Sequence, residues 1–140
     1  MSRRKSRELV MQYLYQQDIQ DDSGSGQARE FWQRNRADSD TEEFARKLLD
    51  HYWGDPARVD QLITEHLKNW NLNRMAIVDR NILRMAVSEL LTRLTPGPVV
   101  IDEAIEIARK FGGDESKEFI NGVLDAVCRK LQGEEDQEQA

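Results

Sequence analysis

The fold is decided by one long patterned segment, RMAIVDRNILRMAVSELLTRL, which occupies residues 74–94. Its apolar side chains recur three and four positions apart, so they form one stripe along an α-helix. The stripe consists of Met75, Val78, Ile82, Met85, Ala86, Leu90 and Leu91. The run Thr95-Pro96-Gly97-Pro98 ends this predicted helix, because proline cannot donate a helical hydrogen bond.

The helical pattern continues on both sides of this segment. Asp55 and Pro56 pair an N-cap with a proline at the first helical position, and Asp102 and Ser116 are further predicted N-caps. The polar run 21–26 is a break between helices. The remaining predicted helices cover residues 2–18, 27–37, 41–54, 56–70, 99–111 and 116–131. The sequence therefore predicts an all-α fold of about seven helices.

Length and composition restrict the class of protein. A chain of 140 residues suits one compact domain, or two small helical halves that share a core. The opening MSRRKSRE lacks the apolar region of a signal peptide, and no apolar run is long enough to span a membrane. Cys128 is the single cysteine, which excludes an internal disulfide and favours a structural thiol in the cytoplasm.

Charge is unevenly distributed along this acidic chain. The net charge is −6, but residues 133–140 hold four of the acidic side chains and are predicted to be a disordered tail. The first turns hold Arg3, Arg4, Lys5 and Arg7, which we call the basic arm. A local basic face on an acidic protein is therefore expected.

Several kinds of chemistry find no support in the sequence. His51 and His66 lie on different predicted helices, and neither is paired with Cys128 at a metal-ligand spacing. The carboxylates near Asp102 have no nucleophile or pocket that would make them an acid–base pair. We expect no metal, no cofactor and no enzymatic activity.

The basic arm is the strongest functional signal in the residues themselves. Guanidinium groups bind phosphates through paired hydrogen bonds, and Tyr15 further along the helix offers a surface for base stacking. The alternatives are a solvated helix end for the arm and core packing for the tyrosine. Arg80 and Arg84 share one helix face, which favours either solubility or, with Asp79, a protein contact.

A glycine in the last predicted helix is the remaining signal. Glycine costs roughly 1 kcal/mol relative to alanine inside a helix. Gly122 therefore predicts a close approach, most simply by another helix. Asn121 beside it favours either a base contact or the capping of a loop.

Four stretches of the sequence form blocks that can be compared with known families. The most specific block is IDEAIEIARKFG at 101–112, followed by SK-x-FINGVLD at 116–125. The other stretches are SRRKSRE at 2–8 with Gln12, Leu14 and Tyr15, and DRNILR at 79–84 with Ser88, Glu89 and Leu90. Taken together, these stretches resemble the NusB family of transcription antitermination factors. The resemblance runs from about residue 2 to 131 and is weakest over 20–55.

The resemblance implies a fold, a function and a set of site residues. The fold would be two three-helix bundles in one domain of residues 1–132, with an N-terminal bundle at about 2–70 and a C-terminal bundle at about 71–131. The protein would bind boxA RNA of ribosomal RNA leader transcripts together with the ribosomal protein NusE, and join the antitermination complex of RNA polymerase. Asp79 and Arg84 would lie near NusE. The RNA-binding residues would be Arg3, Arg4, Lys5, Arg7, Tyr15, Lys117, Phe119 and Asn121.

Two features depart from the family pattern. Glu115 and Glu118 place negative charge beside the implied RNA surface and would weaken binding unless they face away or read a base amino group. The acidic tail at 133–140 is expected to compete for the basic arm, so that its deletion would raise non-specific RNA affinity.

Two other interpretations remain open at the level of sequence. The domain also occurs as the RNA-binding half of ribosomal RNA methyltransferases, although this chain has no methyl-donor site. Alternatively, the protein is a homodimeric interaction module with only non-specific RNA binding, in which the dimer covers the basic arm.

Overall fold

The computed structural model describes residues 3–20, 26–68 and 71–139, and these ranges are helical with short connections. Residues 21–25 of the expected break at 21–26 lie outside the described residues, as do Ser2 and Trp70, the first and last residues of two predicted helices. The helices are α1 (Arg3–Gln20), α2 (Gly26–Arg34), α3 (Ser39–Gly54), α4 (Pro56–Thr64), α5 (Ile77–Thr92), α6 (Gly97–Phe111) and α7 (Ser116–Gln139). The prediction of an all-α fold with about seven helices is thus confirmed.

Helix α5 lies at the centre of the packing. It contacts α1 and α3 on one side and α6 and α7 on the other, and α4 packs against it as well. Ile82, Leu83 and Ala86 of α5 are completely buried. The buried apolar residues form one continuous core that includes side chains of all seven helices. The division into an N-terminal bundle at about 2–70 and a C-terminal bundle at about 71–131 stays a prediction, in which α5 would belong to the C-terminal bundle.

Helix ends follow the local capping chemistry. Asp38 accepts a hydrogen bond from the Thr41 amide at 2.8 Å, so α3 begins at Ser39, two residues before the predicted start. Asp55 caps α4 with Pro56 in the first turn, as predicted. Helix α4 nevertheless ends at Thr64, well short of the predicted residue 70.

The start of α6 corrects one prediction. The helix begins at Gly97, directly after Pro96, so Asp102 lies inside the helix and is not its N-cap. Pro96 is the N-cap and Pro98 lies in the first turn, where no amide hydrogen is needed. Gly97 is required there because a side-chain carbon at this position would overlap the Sγ atom of Cys128.

The carboxyl-terminal segment also differs from the expectation. The disordered tail predicted from residue 133 is wrong for the described part, since α7 continues as helix to Gln139. Two ion pairs tie this extension to the rest of the molecule. Glu134 accepts from Arg58 of α4 at 2.8 Å, and Glu135 accepts from Arg93 after α5 at 3.2 Å.

Gly122 does not mark a contact between helices. It is exposed, and a side-chain carbon added there would meet nothing within 4 Å. The predicted close approach by another helix is therefore wrong, and the surface around Gly122 is open.

Candidate nucleic-acid interface

The basic arm lies in the first two turns of α1, and its residues point to different sides of the helix. Arg3, Arg4 and Lys5 are exposed, whereas Arg7 is only 4% exposed. The Arg3 guanidinium lies 4.0 Å from the centre of the Phe44 ring on α3, a cation–π contact that keeps its charge at the surface. Three of the four basic residues are thus accessible to a ligand.

Arg7 has an internal partner. Its guanidinium donates two hydrogen bonds of 2.7 Å to the two carboxylate oxygens of Glu89, which is completely buried on α5. A buried pair of this kind fixes α1 against α5, because either charge alone would be costly to bury. The prediction that Arg7 holds an RNA phosphate is therefore wrong.

Arg4 is held by a carboxylate at the surface. It donates to Glu103 of α6 at 2.7 Å and 3.4 Å, and this hydrogen bond together with the charge of Glu103 raises the pKa of Arg4. The Arg4 side chain is still 52% exposed. Exposed ion pairs contribute little free energy, so a phosphate can replace Glu103 at small cost.

A second ion pair links α1 to the end of α6. The Lys110 amine donates to Glu8 of α1 at 3.1 Å. Helix α6 then ends at Phe111, and a tight turn leads into α7, in which the Gly113 amide donates to the Ser116 hydroxyl at 3.0 Å. The start of α7 therefore lies a short turn away from Glu8.

The side chains predicted near the start of α7 differ in exposure. Lys117 and Asn121 are exposed, and Phe119 is half-buried against the core. Tyr15 on α1 is likewise half-buried, and it borders a groove with Gln12 and Gln16. Glu115 and Glu118 are both exposed near Lys117, so their negative charge remains at this surface.

Asp79 and Arg84, the residues predicted to face a protein partner, have different environments. Arg84 donates to Asp60 at 2.9 Å and to Asp18 at 3.1 Å, and its side chain is only 14% exposed. It therefore presents no free guanidinium to a partner. Asp79 is half-buried, and within the described ranges its Oδ1 atom has no hydrogen-bond partner.

Arg80 belongs to the same internal network as Arg84. It donates to both oxygens of Asp18 at 2.6 Å and 2.7 Å, and Asn81 also donates to Asp18. Burial alone would raise the pKa of Asp18, but these hydrogen bonds and the neighbouring arginine charges lower it overall. The paired arginines that the sequence shows at 80 and 84 are thus structural residues that join α1, α4 and α5.

Sequence reasoning missed the acidic partners of this surface. Glu8, Glu89 and Glu103 neutralise part of the basic arm and of Lys110, and they come from three different helices. Long-range pairing of this kind leaves no local signal in a single sequence. Among the described residues no cluster of three metal-ligating side chains is found, and no helix there is long and apolar enough to cross a membrane.

These features define a class: an all-helical protein with a basic, aromatic-edged candidate interface for nucleic acid. The comparisons with known proteins agree with this class. The NusB family matches residues 4–129. The transcription antitermination protein NusB of Koribacter versatilis is 44% identical over 95% of this chain and 92% of its own. That of Symbiobacterium thermophilum is 41% identical, over 95% and 93%.

Solved structures show the same relationship. A structure of NusB from T. maritima superposes with a TM-score of 0.82 at 34% identity, over 92% of both chains. A crystal structure of the antitermination factors NusB and NusE in complex with double-stranded RNA gives 0.81 at 27% identity, over 91% of this chain and 96% of that one. The chain belongs to the NusB family.

Proposed function

We propose that this protein is a transcription antitermination factor that binds boxA RNA of ribosomal RNA leader transcripts together with NusE. The observation that carries the proposal is the family match over 4–129, combined with an exposed basic surface at the start of α1. Relatives that cover nearly the whole chain are named transcription antitermination proteins. A structural neighbour was solved with NusE and RNA.

The RNA surface in this proposal has a phosphate side and a base side. Arg3, Arg4 and Lys5 bind phosphates, and Arg4 exchanges Glu103 for the RNA backbone. The residues on the base side are Tyr15, Lys117, Phe119 and Asn121. Aromatic rings stack on unpaired bases, and an amide such as that of Asn121 hydrogen-bonds to base edges. Arg7 supports this surface from within.

The open surface at Gly122 supports this arrangement. With no side chain at 122 and nothing within 4 Å of a carbon placed there, an RNA strand can approach the α7 backbone beside Asn121. Glycine allows such close approach of a ligand to the backbone. This gives the glycine a role that packing between helices does not.

Asp79 is the better candidate for the NusE side. Its Oδ1 atom is buried and has no hydrogen-bond partner in the described part of the chain, which is costly. The side chain as a whole is half-buried, so a donor from a second protein can approach the carboxylate from the surface. Arg84 acts behind this position by holding Asp18 and Asp60.

The mechanism is that of an adaptor. Phosphate contacts supply salt-sensitive affinity, base contacts supply selectivity, and NusE and RNA each strengthen the binding of the other. The complex then joins RNA polymerase. The proposal includes a cytoplasmic location and a role without catalysis.

Single substitutions on the two sides of the surface test the proposal. We expect Arg4→Ala and Lys117→Ala each to weaken boxA binding by roughly tenfold, since each removes a charge-assisted contact. Arg58→Ala is the matched control, because Arg58 also forms one partly exposed ion pair between helices and lies outside the proposed surface. Equal effects of the three substitutions would contradict the proposed surface.

A further inference from the structure

A second group of arginines lies between α2 and α3. Arg29, Arg36 and Arg46 line a groove of about 600 Å³ together with Trp32 and Glu42, and we call it the α2–α3 groove. All three arginines are exposed. The proposed function does not use them, and the sequence resemblance is weakest in this region.

Within the described residues, the arginines of the α2–α3 groove form no ion pair with a carboxylate. Across residues 3–20, 26–68 and 71–139, most arginines form ion pairs with carboxylates. The arginines of those ranges that have no such pair are Arg3, Arg29, Arg36, Arg46 and Arg74. Three of these five therefore line one groove, which contains a single carboxylate. In a protein of net charge −6, this is a local concentration of free positive charge.

One of the three guanidinium groups is already held in position. The Arg46 guanidinium lies 5.5 Å from the centre of the Trp32 ring. Trp32 is itself fixed, since its ring stacks on Tyr13 at 6.3 Å and meets Phe31 edge-on at 5.2 Å. A guanidinium restrained by a cation–π contact loses less conformational freedom when it binds a ligand.

The chemistry of the groove favours an anionic oxygen ligand. Guanidinium groups form paired hydrogen bonds with the oxygens of phosphates, and three of them within one groove can contact successive phosphates of a strand. The half-buried Trp32 adds apolar aromatic surface beside the guanidinium groups.

Nearness to the basic arm favours RNA over an acidic peptide. Arg3 lies against Phe44 of α3, and Arg46 lies two residues further along that helix, on the side that faces α2. Asp40 and Glu43 line the neighbouring groove on the α1 side, so the favourable charge is on the α2 side. We infer that, when a bound RNA strand extends beyond the segment held by the basic arm, the α2–α3 groove binds the phosphates of that extension. This inference rests on the proposed function.

The test compares short and extended RNA. The variant Arg29→Gln/Arg36→Gln/Arg46→Gln is titrated with a minimal boxA RNA and with the same RNA extended by about ten uridines at its 5′ or its 3′ end. We expect unchanged affinity for the minimal RNA and at least tenfold weaker binding of one extended RNA. The plot of the logarithm of the binding constant against the logarithm of the salt concentration should become less steep for that RNA. Its slope should fall in magnitude by about two, because each of the three lost phosphate contacts contributes about 0.7.

The control is Arg74→Gln, which removes an exposed arginine that also has no ion pair but lies outside the groove. Thermal unfolding of the triple variant should match that of the unmodified protein, because the three side chains are exposed. The inference would be overturned if the triple variant bound each extended RNA as tightly as the unmodified protein does. That result is expected if the groove binds an acidic peptide. Equal weakening of minimal and extended RNA would overturn it too, since the arginines would then act only through overall charge.

Failure of the proposed function gives a different result. In that case the unmodified protein would not distinguish the minimal boxA RNA from a scrambled RNA. The effect of the triple substitution on extended RNA would still decide whether the groove binds phosphates, because phosphate contacts do not depend on sequence.

Discussion

Arg3 and Arg7 are four positions apart on α1 and have the same side chain, yet they have different roles. Both guanidinium groups lie over the Phe44 ring, at 4.0 Å and 5.6 Å from its centre. Arg3 is exposed on the outer side, whereas Arg7 reaches inward to Glu89. A basic cluster in sequence therefore corresponds to a basic surface only where the fold supplies no buried carboxylate.

Replacing Arg7 should affect stability before it affects RNA binding. Arg7→Met leaves Glu89 buried without a partner, so we expect the free energy of unfolding to fall by about 3–5 kcal/mol. Arg7→Met combined with Glu89→Leu should recover most of that loss, because no buried charge remains. Urea denaturation of the single and double variants measures both effects, and an unchanged midpoint for Arg7→Met would contradict the structural role.

Tyr52 gives a pH dependence at high pH. Burial raises the pKa of Tyr52 from an ordinary value of 10.0 to about 12. The charge of Arg84 lowers this pKa, whereas the charges of Asp60 and Asp18 raise it. The unfolded chain thus releases the proton near pH 10 while the folded protein keeps it. The stability contribution is fully present below pH 10 and is lost as the pH rises towards 12.

Tyr52→Phe is the matched variant, since it removes only the titrating hydroxyl. We expect the unmodified protein to lose more stability than this variant between pH 10 and about 12, as measured by chemical denaturation at each pH. Parallel curves for the two proteins over that range would show that Tyr52 does not titrate as described.

At the scale of helices, local chemistry predicted most of what the structure shows. The apolar stripe and the stop at residues 95–98 predicted α5, and the Asp55–Pro56 pair predicted the start of α4. The errors arise where contacts between residues far apart in the sequence determine the structure. Glu134 and Glu135 extend α7 because Arg58 and Arg93 lie beside them, which a composition-based prediction of disorder does not include.

The candidate site shows the same difference between local and long-range contacts. The exposed part of the basic arm was predictable from α1 alone, whereas the burial of Arg7 depends on Glu89, which is 82 residues away in sequence. The free arginines of the α2–α3 groove carried a weak signal, namely several arginines around Trp32, but their lack of partners is visible only in three dimensions.

The α7 extension changes the expectation for the acidic tail. Glu134 and Glu135 pair with Arg58 and Arg93 and not with the basic arm, whose Arg4 already pairs with Glu103. We therefore expect deletion of residues 133–140 to change non-specific RNA affinity by less than about twofold at physiological salt, because the remaining effect is screened charge. The free energy of unfolding should fall by only about 1 kcal/mol, since both pairs are partly exposed.

Filter binding of a scrambled RNA and urea denaturation check these two values. The deletion of residues 130–140 is a useful comparison, because it also removes the buried Leu131 and the pair between Lys130 and Glu65 and should destabilise the protein further. A large rise in non-specific affinity after deletion of 133–140 would instead support competition between the tail and the basic arm.

For the molecule as a whole, the internal ion pairs organise the helices around α5. Glu89 and Arg84 of α5 hold α1 and α4, and Glu8 and Glu103 join α1 to α6. Many carboxylates of this acidic protein are thus engaged in ion pairs within the fold. Apart from Arg74, the arginines that form no ion pair within the described residues lie at the start of α1 and in the α2–α3 groove, which is why a chain of net charge −6 can present a surface for RNA.

The measurement that tests the central claim most directly is a titration of fluorescent boxA RNA and a scrambled control, with and without purified NusE, at two salt concentrations. The adaptor mechanism predicts selective binding of boxA that NusE tightens, with a preference over the scrambled RNA that persists at the higher salt. Weak binding of both RNAs that salt abolishes equally, with no effect of NusE, would contradict it.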